Sequence, residues 1–147
     1  MPYITDDPFK SISILYRKSH IWLNNACVPC HLPAAQAVVI LIVCHFQTLT
    51  QDEITKRLGL DKSVIAKTVT KLEETGFLIR STNARDKRTY DIRPTEKAWE
   101  VYPSVKEQLD ICFQRMTQDM TDAERTEFKR LLLVAAQTTI ALEDSAL

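Results

Sequence analysis

The chain has 147 residues, 45% of them apolar and only 2 of them Gly. That fits one ordinary globular domain with helical additions and excludes a disordered or collagen-like protein. Nineteen basic residues cancel nineteen acidic ones, yet residues 62–93 carry 8 Lys and Arg against 4 Asp and Glu, while 94–147 carry 6 against 10. Local field rather than net charge steers a polyanion, so the neutral total does not exclude nucleic acid.

The first residues lack the basic start and apolar run of a signal peptide. The longest apolar stretch, 34–46, contains Gln36 and His45 and is too short to span a bilayer. A cytoplasmic protein with no membrane partner is expected, its four cysteines reduced.

Asp7-Pro8 opens a first helix, Asp as cap and Pro at the first helical position. It runs to about Cys27, with Phe9, Ile12, Leu15, Ile21, Trp22 and Leu23 giving an apolar face. Pro29 and Pro33 turn 28–32 into a connection. A second helix, Pro33 to about Gln47, is apolar nearly all round and so reads as buried. Thr50 and Glu53 form a capping box for a short third helix, with Ile54 and Leu58 one turn apart and Gly59 as the stop. Asp61 caps a fourth helix, Lys62 to Thr75, whose stripe is Ile65, Val69 and Leu72. Gly76 ends it. Residues 77–81 and 89–93 read as strands joined by a turn at 83–87. Thr95 caps a fifth helix to roughly Gln118, with a kink or break at Pro103. Thr121 and Glu124 form a second capping box, opening a sixth helix to about Leu142.

Two short helices followed by a basic hairpin make a helix-turn-helix carrying a wing. The apolar stripe of the fourth helix is just wide enough to seat it, which leaves Lys62, Ser63, Lys67, Thr70 and Lys71 facing outward. Lysines near one-turn spacing suit phosphate tracking, and short hydroxyl side chains can approach base edges in a major groove. A solvated Lys-bearing face is the alternative; the short helix before it and the basic hairpin after it favour the reading helix.

Leu49-Thr50, the helix pair, the run Leu72-Glu73-Glu74-Thr75-Gly76-Phe77-Leu78-Ile79-Arg80 and the turn Arg85-Asp86-Lys87-Arg88 resemble the MarR family of bacterial transcriptional regulators. The resemblance covers about 50 residues. It includes the family's wing pattern, an Arg after the first strand and then Asp-x-Arg, at Arg80, Asp86 and Arg88. One departure is Arg93-Pro94-Thr95-Glu96-Lys97-Ala98, where relatives usually carry an apolar residue before Thr and Gly in place of Ala98. The resemblance implies that the fourth helix enters the major groove of an operator and that Arg85, Lys87 and Arg88 of the wing reach the adjacent minor groove. Asp86 would hold Arg88 across the turn, and Arg80 is likewise structural.

The expected fold is mainly α with a small β-wing: a winged helix-turn-helix domain at 33–94, preceded by an N-terminal dimerisation helix and connection at 1–32 and followed by C-terminal dimerisation helices at 95–147. The outer helices carry apolar residues (Trp99, Leu109, Ile111, Phe113, Phe128, Leu131, Leu132, Ala135, Ile140) that a compact winged helix cannot cover. They either bury this face within one chain or pair with a second copy; the resemblance implies a homodimer on a pseudo-palindromic site.

Cys27-Val28-Pro29-Cys30-His31 formally matches a haem-attachment pattern, but that chemistry follows export and no signal directs it. Three readings stay open. Cys30 can be a thiolate that oxidises or pairs with Cys27. Cys27, Cys30 and His31 can hold a metal ion, with Cys112, His20 or His45 as fourth ligand. Alternatively, Cys27, Cys44 and Cys112 are small core residues and His31 a loop histidine. Relatives often respond to small aromatic acids or phenols bound between the DNA-binding lobe and the dimerisation helices, so His31, Trp22, Tyr16 and Cys112 are also candidates to line an effector pocket. No catalytic triad spacing, phosphate loop or paired-carboxylate pattern is present, so an enzyme using Cys27 and Cys30 as a dithiol ranks last. A winged-helix protein-interaction module is the other alternative. The reading is a DNA-binding transcriptional regulator, a repressor released by an effector.

Overall fold

In a computed structural model, residues 6–27 and 32–146 are described. Their order is α1 (Pro8–Ala26), α2 (Ala34–Phe46), β1 (Leu49–Thr50), α3 (Gln51–Leu58), α4 (Lys62–Glu74), β2 (Leu78–Thr82), β3 (Tyr90–Pro94), α5 (Glu96–Met116) and α6 (Asp122–Ala146). The mainly helical fold with a small antiparallel sheet is the one the sequence predicts.

Helix α2 is the centre. Ala37, Val39, Ile40 and Val43 are wholly buried and Ala34 and Cys44 nearly so, because a helix apolar all round is stable only when covered all round. Helices α1, α3, α4 and α5 and strand β3 all pack on it. Its N-terminus has no cap of its own, since Pro33 offers no side-chain acceptor. Asn24 of α1 supplies one from across the 28–31 connection, its Oδ1 accepting the Ala34 N–H at 2.7 Å. At the other end Gln47 turns the chain with a φ of 66°, a left-handed conformation that side-chain-bearing residues rarely adopt.

The caps explain where most helices begin and stop. Thr50 and Glu53 bond reciprocally at 3.2 and 2.8 Å, and Gly59 ends α3 in the left-handed region. Thr121 and Glu124 repeat the capping box at α6. After α4, the Gly76 N–H donates to the Glu73 carbonyl and the Phe77 N–H to that of Leu72, which is a Schellman closure with glycine at the left-handed position. Thr95 then ties this corner to α5. Its hydroxyl donates to the Gly76 carbonyl at 2.6 Å and its oxygen accepts the Ala98 N–H. Ala98 is fully buried, so the departure from glycine at this position is accommodated inside the core.

Two expectations need correction. Asp61 stands at the start of α4, but its side chain makes no capping bond; only its carbonyl is used, by the Ile65 N–H. Pro103 does not break α5, which is one helix from Glu96 to Met116, although proline removes one donor from the ladder. The two-stranded hairpin forms as expected, within a larger sheet. Residues Leu49 and Thr50 form a third strand, pairing with Ile92 and Asp91 in the order β1-β3-β2. Strands β2 and β3 pair antiparallel from Leu78–Pro94 to Thr82–Tyr90. Ile92, fully buried on the central strand, fixes the register, because a one-residue slip would turn it to solvent.

The core runs from Leu23 and Cys27 of α1 through α2 to α4, the sheet, and Ala98 and Val105 of α5. Helix α6 contributes no buried residue among those described. It is anchored at its start by Arg125, whose Nε donates to the buried Thr117 hydroxyl at 2.9 Å. Asn24→Ala should remove the side-chain cap of α2, costing about 1 kcal/mol and lowering Tm by a few degrees in a thermal melt; an unchanged Tm would show the cap to be replaceable.

Candidate nucleic-acid interface

Helix α4 stands on Ile65, Val69 and Leu72, all with no exposed area. Burying such side chains is worth about 1.5–3 kcal/mol each, enough to fix which face of the helix looks outward. Lys62, Ser63, Lys67, Thr70 and Lys71 are all exposed. Lys62 lies at one edge of this face, 3.4 Å from Asp52 of α3, while Lys71 approaches Glu74 at 3.8 Å. Both are surface pairs of small energetic weight, so neither lysine is withdrawn from a polyanion.

The wing turn is held by its own side chains. The Asn83 Oδ1 accepts the N–H groups of Arg85 and Asp86 at 2.8 and 2.9 Å, and its Nδ2 donates to Asp91 at 2.7 Å. Asp86 Oδ1 accepts both the backbone N–H of Arg88, at 3.0 Å, and its Nε, at 3.1 Å. Those two bonds, the side-chain one foremost, hold the Asp86 carboxyl below its ordinary pKa. The pairing is therefore complete above the ordinary carboxylate range and disappears as pH falls through the lowered value. Arg88 keeps 91% of its side chain exposed, and Arg85 and Lys87 are exposed beside it. The result is a turn pre-shaped around a projecting cation. Asn83, expected only as part of the turn, is its organiser; an Asx residue two and three places before the N–H groups it accepts is a signal that could have found it.

Arg80 ties the wing to the reading helix. Its guanidinium meets Glu73 of α4 at 2.7 Å and lies over the Tyr90 ring at 5.3 Å. Between α3, Lys62 and the wing a cleft of about 280 Å³ opens, lined by Arg80, Arg88 and Tyr90 among others.

The other candidates are not gathered into one place. Cys30 and His31 lie outside the described residues. Cys27 is buried beside α2. Burial pushes the Cys44 thiol up to about 11 and also raises that of Cys112, the opposite of the shift a reactive thiolate needs. His20 lies against Tyr16 along α1 with its ring tilted by 40°, and His45 packs edge-on against Phe46. Among the described residues, no three His, Cys, Asp or Glu side chains are grouped to hold a metal ion. A separate crevice of about 330 Å³ lies between α2, α3 and α5, with Leu41, His45, Phe46, Tyr102 and Lys106 in its walls; Tyr16, Trp22 and Cys112 do not line it. Among the described residues no helix is long and apolar enough to cross a membrane.

Residues 32–89 match the model of the MarR family. The HTH-type transcriptional regulator YwhA of Bacillus subtilis is 28% identical over 126 residues, which cover 83% of this chain and 88% of that protein. Among solved structures, a MarR protein from Peptoclostridium difficile superposes with a TM-score of 0.90 at 20% identity, covering 100% of this chain and 96% of that one. A cysteine-to-serine mutant of MarR from E. coli, complexed with operator DNA, superposes with a TM-score of 0.77 at 22% identity, covering 86% of this chain and 91% of that one. Residues 32–89 are thus similar to the MarR family, and with its helix pair, wing and flanking helices in the same order the chain has the fold of MarR proteins.

Proposed function

We propose that two copies of this chain bind a pseudo-palindromic operator as a repressor and are released by a small effector. The observation that carries the reading is the outward face of α4, Ser63, Lys67, Thr70 and Lys71, set beside a wing whose exposed Arg88 is pre-positioned by Asp86. A reading helix with a basic wing next to it is the arrangement that entry to a major groove and the next minor groove requires. That a protein of the same fold is known on operator DNA supports the same partner here. Such a partner is met in the cytoplasm.

The homodimer has separate support. Phe9, Ile12 and Tyr16 of α1 are 78%, 62% and 61% exposed, and Leu131, Leu132, Leu133 and Val134 of α6 are also exposed. Apolar helices left uncovered in one chain are the material of an obligate interface. Pairing them by a two-fold axis sets two reading helices about one DNA turn apart. The effector site we favour is the crevice against Lys106 and Tyr102, where apolar walls meet a cation in the manner a small aromatic acid needs. It joins the reading lobe to α5, so an occupant that prefers one spacing of the two reading helices shifts the population toward it.

Two measurements test this reading. Binding to duplex DNA from the protein's own promoter should weaken in Arg88→Ala, and the slope of log affinity against log salt should fall by about 1 for each phosphate that the wing no longer neutralises. Benzoate should weaken binding by the unaltered protein. Unchanged affinity and slope would remove Arg88 from the interface, and indifference to benzoate would remove the aromatic-acid effector. Alkylation asks whether Cys44 or Cys112 is reactive. Cys44 and Cys112 of the folded protein should react with iodoacetamide at pH 7 far more slowly than after unfolding in urea; fast native labelling at either would favour a thiol-based signal.

A further inference from the structure

Val64 stands where two other helices of the chain carry a capping glutamate. Helices α3 and α6 place glutamate at the third helical position, where Glu53 and Glu124 close capping boxes. Helix α4 has Val64 there, and its Asp61 side chain makes no capping bond either. A β-branched residue is a poor choice in a first helical turn on propensity alone. Nor is Val64 spent on packing: it is 42% exposed and takes no part in the hydrophobic core or in the side chains packed against it. Departures from local preference without a packing return are concentrated at functional sites.

Its surroundings say what it would meet. Lys67 and Lys71, three and seven places on, share its side of the helix and are exposed. Thr68, four places on, donates its hydroxyl proton to the Val64 carbonyl at 2.8 Å and so has no proton left for a base edge. This edge of α4 is an apolar step flanked by cations. Duplex DNA answers that combination directly: phosphates for the lysines, and the 5-methyl of thymine as the apolar group displayed by the bases in the major groove. We infer that Val64 is a specificity residue that packs on a thymine methyl in each half of the operator, so that the protein requires an A·T pair of fixed orientation at that step. This rests on the DNA-binding reading above and adds a base to it.

Removal of single methyl groups from the DNA tests it. In the promoter duplex bound by the protein, each thymidine is replaced in turn by deoxyuridine, which removes only the methyl. Affinities are then compared for the unaltered protein and Val64→Ala, a substitution that favours helix and touches no buried residue. One symmetric pair of uridines should weaken the unaltered protein by about fourfold per half-site, the worth of one buried methyl. Val64→Ala should bind the thymidine duplex correspondingly more weakly and be indifferent to that uridine pair. The inference is overturned if every uridine is neutral for the unaltered protein, or if the sensitive position stays as sensitive in Val64→Ala. Failure of the underlying reading looks different: the unmodified duplex is then not bound at all, before any uridine is introduced.

Discussion

Everything in this molecule is arranged by the need to cover one helix. Helix α2 has apolar residues on every side, with Ala37, Val39, Ile40 and Val43 excluded from solvent altogether. Most of such a helix must be covered, and α1, α3, α4, α5 and the central strand β3 each give it a face, leaving one side, with Leu41 and Phe46, on the open crevice. That demand fixes the roll of α4. Once Ile65, Val69 and Leu72 turn inward, Ser63, Lys67 and Lys71 have no choice but to face out. The reading surface is the remainder left by core packing, which is why the same three apolar positions can carry many different reading faces.

The parts of the fold that were legible in the sequence are those decided within a few residues. Thr50 with Glu53 and Thr121 with Glu124 declare helix starts, and Gly59 and Gly76 declare stops, because the hydrogen bonds involved span three to five residues. The wing was legible for the same reason: Asp86 and Arg88 are two apart, and their bond forms within the turn. What was hidden depends on residues far apart in the chain. Leu49 and Thr50 are too short for any alternation to mark a strand, and they become one only because Ile92 and Asp91 arrive beside them. The cap of α2 comes from Asn24, ten residues back. Asp61 looks like a cap and is not one, since nothing in its own neighbourhood reveals where its carboxylate settles. The crevice beside Lys106 was the least legible, because its walls come from α2, α3 and α5 together.

Charge is sorted along the chain. The basic excess belongs to α4 and the wing, while the acidic excess belongs to α5 and α6. Apolar side chains stay exposed on the outer helices α1 and α6, and also at Val64, Ile79 and Tyr90 of the winged lobe. Cys44 falls in with packing: it lies within α2 itself, and the burial that makes it a good core residue raises the pKa of its thiol.

The central claim is that two reading helices and two wings meet one duplex together. Hydroxyl-radical footprinting of the protein on its own promoter tests that most directly. The account predicts two equal protected patches related by a dyad, with the reading helices centred about 10 base pairs apart or a multiple of that, and further protection in the flanking minor grooves that disappears in Arg88→Ala. A single, asymmetric patch, or protection that persists unchanged without Arg88, would contradict it.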